Sequence, residues 1–142
     1  NWLAQRRSAT LPAPFDRVDM AAMAVTAAAL TTWVAAPQAQ ATAAAAILAA
    51  IINVYRLMRW HGIDTFAEPL VTILHAGFAF IPVGFALLAL GIAAPSVIAS
   101  TGALHGWTAG AIGIMTLAVM TRASLGHTGQ PLTATRLIKA IY

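Results

Sequence analysis

The chain has 142 residues, of which 60% are hydrophobic and only 8% charged, against roughly 25% charged in an ordinary soluble domain. So little polar surface cannot cover a core, so the composition excludes a soluble globular domain and places the chain in a membrane. Eight Lys and Arg against four Asp and Glu give a net charge of +4, here a topology signal rather than a nucleic-acid footprint; the lack of cysteine excludes disulfides, thiolate zinc sites, iron–sulfur clusters and covalent haem attachment.

A hydrocarbon core about 30 Å thick is crossed by about 20 apolar helical residues, and four stretches meet that length. The first, 18–36, is rich in alanine and is entered through Leu11-Pro-Ala-Pro14 and Asp16-Arg17. The second, 39–58, follows after only Pro37 and Gln38. Two such alanine-rich runs are weak spans singly and predict a tight helical hairpin together. The third, 69–93, begins on Pro69, whose missing N–H costs nothing at the first position of a helix. The fourth, 102–121, carries Gly102, Gly106, Gly110 and then Gly113, a small-residue face that lets another backbone, or a flat cofactor, approach closely. A fifth apolar segment begins about residue 134. The expected fold class is all-α, a polytopic transmembrane helical bundle of four spans plus the start of a fifth, in a single transmembrane domain over residues 1–142. The start on Asn1 and the stop at Tyr142 within an apolar segment predict an internal fragment of a longer protein, whose remaining transmembrane helices would be partners of this one.

Arg6, Arg7 and Arg17 precede the first span, Arg56 and Arg59 stand between the second and third, and Arg122, Arg136 and Lys139 follow the fourth. The connections after spans one and three carry no charge. All eight basic residues therefore fall on one side, which the positive-inside rule makes cytoplasmic, with the N-terminus inside. A secretory signal cleaved near Ala39-Gln-Ala41 is disfavoured by the long charged lead-in and the three spans that follow. The four acids, Asp16, Asp19, Asp64 and Glu68, lie at helix ends or in loops. A transporter with buried midplane carboxylates is therefore disfavoured, and with no hydrolytic triad a classical enzyme is not expected.

An ionisable group within the membrane is costly and by default suggests a function. His75 lies about six residues into the third span, roughly 9 Å inside the hydrocarbon. His105 lies in the first turn of the fourth span, near the opposite face, and His127 just beyond its cytoplasmic end. The plain structural alternatives are an interhelical hydrogen bond for His75 and an interfacial polar residue for His105; His61, in Arg59-Trp-His-Gly62, reads as a solvated loop residue. His75 and His105 are separated by roughly 17 Å along the membrane normal. That is too far for both to be axial ligands of one haem, so two sites are implied, or one completed by further helices.

The fourth span ends in Met120-Thr-Arg-Ala-Ser-Leu-Gly-His-Thr-Gly-Gln-Pro-Leu132. Here Gly126 reads as the helix terminator, His127 as a residue facing the exposed carbonyls just after it, and Gln130-Pro131 as the start of a turn. The longer run Leu104-His-Gly-Trp-Thr-Ala-Gly-Ala-Ile-Gly-Ile-Met-Thr-Leu-Ala-Val-Met-Thr-Arg-Ala-Ser-Leu-Gly-His-Thr-Gly-Gln-Pro-Leu132, with Glu68-Pro-Leu-Val-Thr-Ile-Leu-His-Ala-Gly-Phe78 upstream, resembles the signature of the NnrS family. Leu11-Pro-Ala-Pro-Phe-Asp-Arg17 and Tyr55-Arg-Leu-Met-Arg-Trp60 agree with it, so the resemblance covers nearly the whole chain. That family comprises polytopic proteins of the bacterial inner (cytoplasmic) membrane that bind haem and copper and are linked to nitric oxide metabolism and resistance to nitrosative stress.

The resemblance implies that His75, His105 and His127 are ligands of a non-covalent b-type haem or of copper. Gln130 stands where the family commonly has Arg, which leaves Arg122 as the basic residue for a haem propionate. Gly106-Trp107 after His105, and Phe78 after His75, also depart from the family's usual residues, but no histidine is lost. Without cysteine, imidazole is the natural ligand for haem iron, and copper accepts imidazole or thioether; Met115 and Met120 would supply thioethers or simply fill gaps. The implied partners are the lipid bilayer and nitric oxide or iron-nitrosyl species, with no nucleic acid. A membrane b-type haem redox protein, passing electrons to quinone or nitric oxide, is the alternative reading.

Overall fold

Asp16 sets where the first helix begins. Its carboxylate accepts from the Val18 N–H at 2.8 Å, while the Asp19 carboxylate reaches back to the Asp16 N–H at 3.2 Å, a reciprocal cap that satisfies donors the first turn leaves unpaired. The structure, a computed structural model, describes residues 11–142, the side chain of Ser100 apart; Arg6 and Arg7 lie outside the described residues. Helix α1 runs Arg17–Ala35 and α2 Gln40–Met58. Between them Thr42 Oγ1 donates to the carbonyls of Ala36 at 2.7 Å and Thr32 at 3.2 Å, closing the turn. The seam of this hairpin is alanine: Ala22 and Ala29 on α1, and Ala43, Ala46 and Ala49 on α2, are all buried. Side chains this small let the backbones approach closely, the main route to helix association in lipid. Asn53 adds a polar tie, donating from Nδ2 to Thr26 Oγ1 at 2.8 Å.

Helix α3, Pro69–Ala93, starts on the Glu68 cap with Pro69 in its first turn and packs against both α2 and α4. Helix α4 is a composite: α-helical over Ser100–His105, π-helical over Gly106–Gly113, and α-helical again over Ile114–His127. A short helix α5, Arg136–Ile141, follows, capped by Thr135. The described residues contain helices and no strand, and α1, α2, α3 and α4 are each long and apolar enough to cross a membrane. The core joins all four through Ala29, Ala46, Phe85, Leu88 and Ala103.

The end of α4 differs from the sequence expectation. The helix does not stop at Thr121 or break at Gly126; it continues to His127. The terminator is Gly129, in the left-handed region at φ 67°. Its N–H donates to the Gly126 carbonyl at 3.2 Å, and the Gln130 N–H to the Leu125 carbonyl at 2.9 Å. This paired closure needs a residue at ease with positive φ one position past the cap. Gly129 fills that role, so His127 is the last residue of the helix rather than the first of the loop.

Candidate functional site

Six residues into α3, His75 stands about 9 Å from the start of its helix. It is half-buried, and its Nδ1 lies 3.0 Å from the Val71 carbonyl oxygen one turn earlier. A carbonyl can only accept, so the proton sits on Nδ1 and the Nε2 lone pair is left for a ligand. Against the ring lies Gly62, where a Cβ would come within 2.7 Å of His75 Cδ2. Only glycine lets the α2–α3 connection rest on the imidazole. On another side Trp60 meets the His75 ring edge-on at 6.1 Å and Phe78 at 4.5 Å.

That connection folds over α3 through a single 3₁₀ turn, Gly62–Thr65, and brings a second histidine with it. His61 precedes the turn at φ 52°, a left-handed conformation uncommon for any residue but glycine, and its Nδ1 lies 3.7 Å from Asp64 Oδ2. His61 and His75 line one cavity of about 610 Å³, walled mainly by Leu57, Met58, Ile63 and Phe66. His61 is, as the sequence reading has it, a loop residue with a partly exposed side chain, 41% accessible, and what that reading did not show is that it lines a cavity with His75. A short connection beginning on a His-Gly pair next to a span was the available signal, but nothing in its periodicity shows which way it folds.

An ion cluster joins the start of α1 to the end of α2. Arg56 Nε donates to Asp19 Oδ1 at 2.8 Å, and Arg59 bridges Asp16 and Asp19, reaching Asp19 Oδ2 at 3.5 Å. Asp19 is only 5% exposed, a depth at which a carboxylate needs such partners. The hydrogen bond from Arg59, with the Val18 N–H adding to it, holds the Asp16 carboxyl below its ordinary range, and the same bond raises the Arg59 guanidinium. Arg56 also lies over the Trp60 ring at 5.1 Å and the Phe78 ring at 5.6 Å, within cation–π range. Four residues read as end-of-span charges thus tie α1 and α2 to the aromatic pair Trp60 and Phe78, of which Trp60 contacts the His75 ring.

The other sequence-predicted residues stand apart from it. His105 is exposed, its Nδ1 2.9 Å from the Thr101 carbonyl oxygen, and immediately precedes the π-helical segment. His127 is exposed and Arg122 half-buried. Gly84 of α3 lies against Gly106 of α4, and Gly77 against Met115. In that antiparallel register His105 lies about ten residues, roughly 15 Å, to one side of His75, and His127 a similar distance to the other. The three histidines sit at three levels, and among the described residues no three His, Asp or Glu converge on a point.

The glycine face of α4 serves helix contact. A Cβ at Gly110 would lie 2.3 Å from the Phe80 ring, and one at Gly106 would lie 3.5 Å from the Gly84 Cα. Trp107, between them, donates from Nε1 to the Ile81 carbonyl at 3.1 Å and meets Trp33 and Phe85 edge-on at 5.4 and 4.9 Å. Met115 fills the notch at Gly77, whereas Met120 is exposed.

In comparison with known proteins, the whole chain, residues 1–142, matches the family model described as NnrS protein. No curated protein and no solved structure matches it.

Proposed function

The chain belongs to the NnrS family, and from that premise we propose that it binds haem and copper in the membrane and protects against nitrosative stress. Membership supports the general role, a multi-pass membrane protein of the nitric oxide response; the cofactors and the protective action are the proposal. One observation carries it: an imidazole about 9 Å along an apolar span, with Nδ1 engaged by the Val71 carbonyl at 3.0 Å, which leaves Nε2 as the nitrogen with a lone pair. A metal-ligating histidine characteristically donates its second nitrogen to such a carbonyl, which fixes its tautomer and its ring.

The donor set fits both groups. It consists of imidazoles and thioethers with no thiolate, which suits haem iron and copper. His75, His105 and His127 would hold them, and Arg122 would pair with a haem propionate. Bound haem iron or copper supplies a coordination position for nitric oxide. The protein's own residues orient: the Val71 and Thr101 carbonyls hold the His75 and His105 rings, and the apolar helices would admit a small apolar gas. The basic residues at the start of α1, in the α2–α3 connection and after α4 support a bacterial inner-membrane placement with the N-terminus cytoplasmic.

The test is the visible absorption spectrum of the detergent-purified protein, oxidised and reduced, with metal analysis. A Soret band with reduced b-type bands, together with copper, is expected. A featureless spectrum after haem-supplemented expression would sink the reading and return the histidines to capping and contact roles.

A further inference from the structure

We infer that His61 and His75, with the thioether of Met58, hold one Cu(I) ion at the cavity beside the α2–α3 connection. The inference rests on the copper-binding reading above and deepens it by two ligands, His61 and Met58, and by the oxidation state of the metal.

The chain itself brings the donors together. Met58 closes α2, and the His61 N–H donates to the Met58 carbonyl at 3.3 Å, so one turn carries both side chains. Met58 is 70% exposed, so its thioether is not spent on filling the core. His61 is turned to φ 52°, and residues in that region persist only where their surroundings impose it, often at ligand clamps. The next residue, Gly62, rests on the His75 ring: a Cβ there would come within 2.7 Å of Cδ2, the ring carbon bonded to Nε2. Consecutive Cα atoms are about 3.8 Å apart, so this contact leaves His61 within a side chain's reach of an ion held at His75 Nε2. So close an approach suits a single ion rather than a flat macrocycle between the rings. Met58, His61, Asp64 and His75 all line the same cavity.

The donor chemistry selects the ion. His75 Nδ1 is engaged by the Val71 carbonyl, so Nε2 carries the lone pair it can offer a metal. Imidazole with thioether favours Cu(I) over the hard cations, which need oxygen ligands. Among the described residues no three His, Asp or Glu converge, so a closed four-ligand zinc site is not met, whereas Cu(I) accepts few ligands. Charge agrees with a cation here. Arg56, which lies over Trp60, is paired with Asp19, and Asp64 sets a carboxylate on the cavity wall.

The experiment titrates the detergent-purified full chain with Cu(I) against a chromogenic Cu(I) chelator and records X-ray absorption at the copper edge. The parent should bind Cu(I) with imidazole nitrogen and sulfur among the scatterers. His61→Asn keeps a residue at ease in the left-handed turn, so it should hold the parent's melting midpoint. It and His75→Ala should each weaken Cu(I) binding by more than about 100-fold, beyond what loss of an outer partner costs. Met58→Leu, a swap of similar volume, should abolish the sulfur scattering. Parent affinity in His61→Asn, or sulfur scattering that persists in Met58→Leu, would overturn the inference while leaving the copper-binding reading intact. A parent that takes up no copper would overturn both.

Discussion

Replacing Gly84 with alanine puts a methyl group 2.1 Å from Trp107 Nε1 and 2.3 Å from Cδ1, so the indole or the backbone has to move. The ring has nowhere easy to go, held edge-on by Trp33 of α1 and by Phe85 of α3. Inserting one methylene-sized group into a filled site costs about 1–3 kcal/mol. Displacing the indole also breaks its bond to the Ile81 carbonyl, worth about 1 kcal/mol. Gly84→Ala should therefore destabilise the helix assembly by about 2–4 kcal/mol. The assay is a denaturation midpoint in mild detergent followed by tryptophan fluorescence, which also reports Trp107 directly. Gly126→Ala is the internal control: nothing lies within 4 Å of a Cβ there, and removing a helical glycine gains up to about 1 kcal/mol. The two substitutions should move the midpoint in opposite directions. If Gly84→Ala left both the midpoint and the emission of the parent unchanged, the α3–α4 register built on Gly84 would be wrong.

Gly129→Ala meets no neighbour but holds an alanine at φ 67°, so α4 should fray past Leu125 at a cost of about 1–2 kcal/mol, read as faster amide exchange at Gln130. Asn53→Leu removes the bond to Thr26 Oγ1 and should lower the unfolding free energy by about 0.6 kcal/mol, an average strength for a polar tie between membrane helices, read as a lower denaturation midpoint. Asp19→Asn strips Arg56 of its carboxylate and should cost about 2 kcal/mol, with a changed emission from Trp60. The Asp16 carboxyl is held below its ordinary value by Arg59, so its contribution to stability is complete above about pH 4 and is lost as pH falls through the lower folded value. A melting curve measured from pH 6 to 3 should show that acid loss, and Asp16→Asn, which keeps a competent cap, should lessen it.

Much of the fold was legible because lipid removes most alternatives: every backbone group must bond within its segment, so long apolar runs have to be helices. The alanine hairpin followed from the two-residue gap at Pro37 and Gln38. Local glycine choice was not legible. Gly126 and Gly129 look alike in sequence, and only the bond pair to Leu125 and Gly126 shows which one ends α4. The π-helical segment at Gly106–Gly113 left no periodicity to read, since a run of small residues carries little contrast between faces. In the site, depth along a span singled out His75, but depth could not find His61, whose place depends on a ten-residue connection folding back through one 3₁₀ turn. The pairing of Arg56 and Arg59 with Asp16 and Asp19 crosses 37 to 43 positions, beyond any local pattern.

The ion cluster explains how a half-buried imidazole can be held in place at the edge of such an apolar bundle. A half-buried imidazole has to be oriented by something rigid, and a loop on its own does not supply rigidity. Here Asp19, fixed by the first turn of α1, holds Arg56 of α2. Arg56 lies over Trp60 and Phe78, and Trp60 borders His75. Each link joins a different element, so the aromatic contact on His75 is tied to both helices of the first hairpin as well as to α3. The charges at the ends of α1 and α2 therefore also hold the ring that contacts His75.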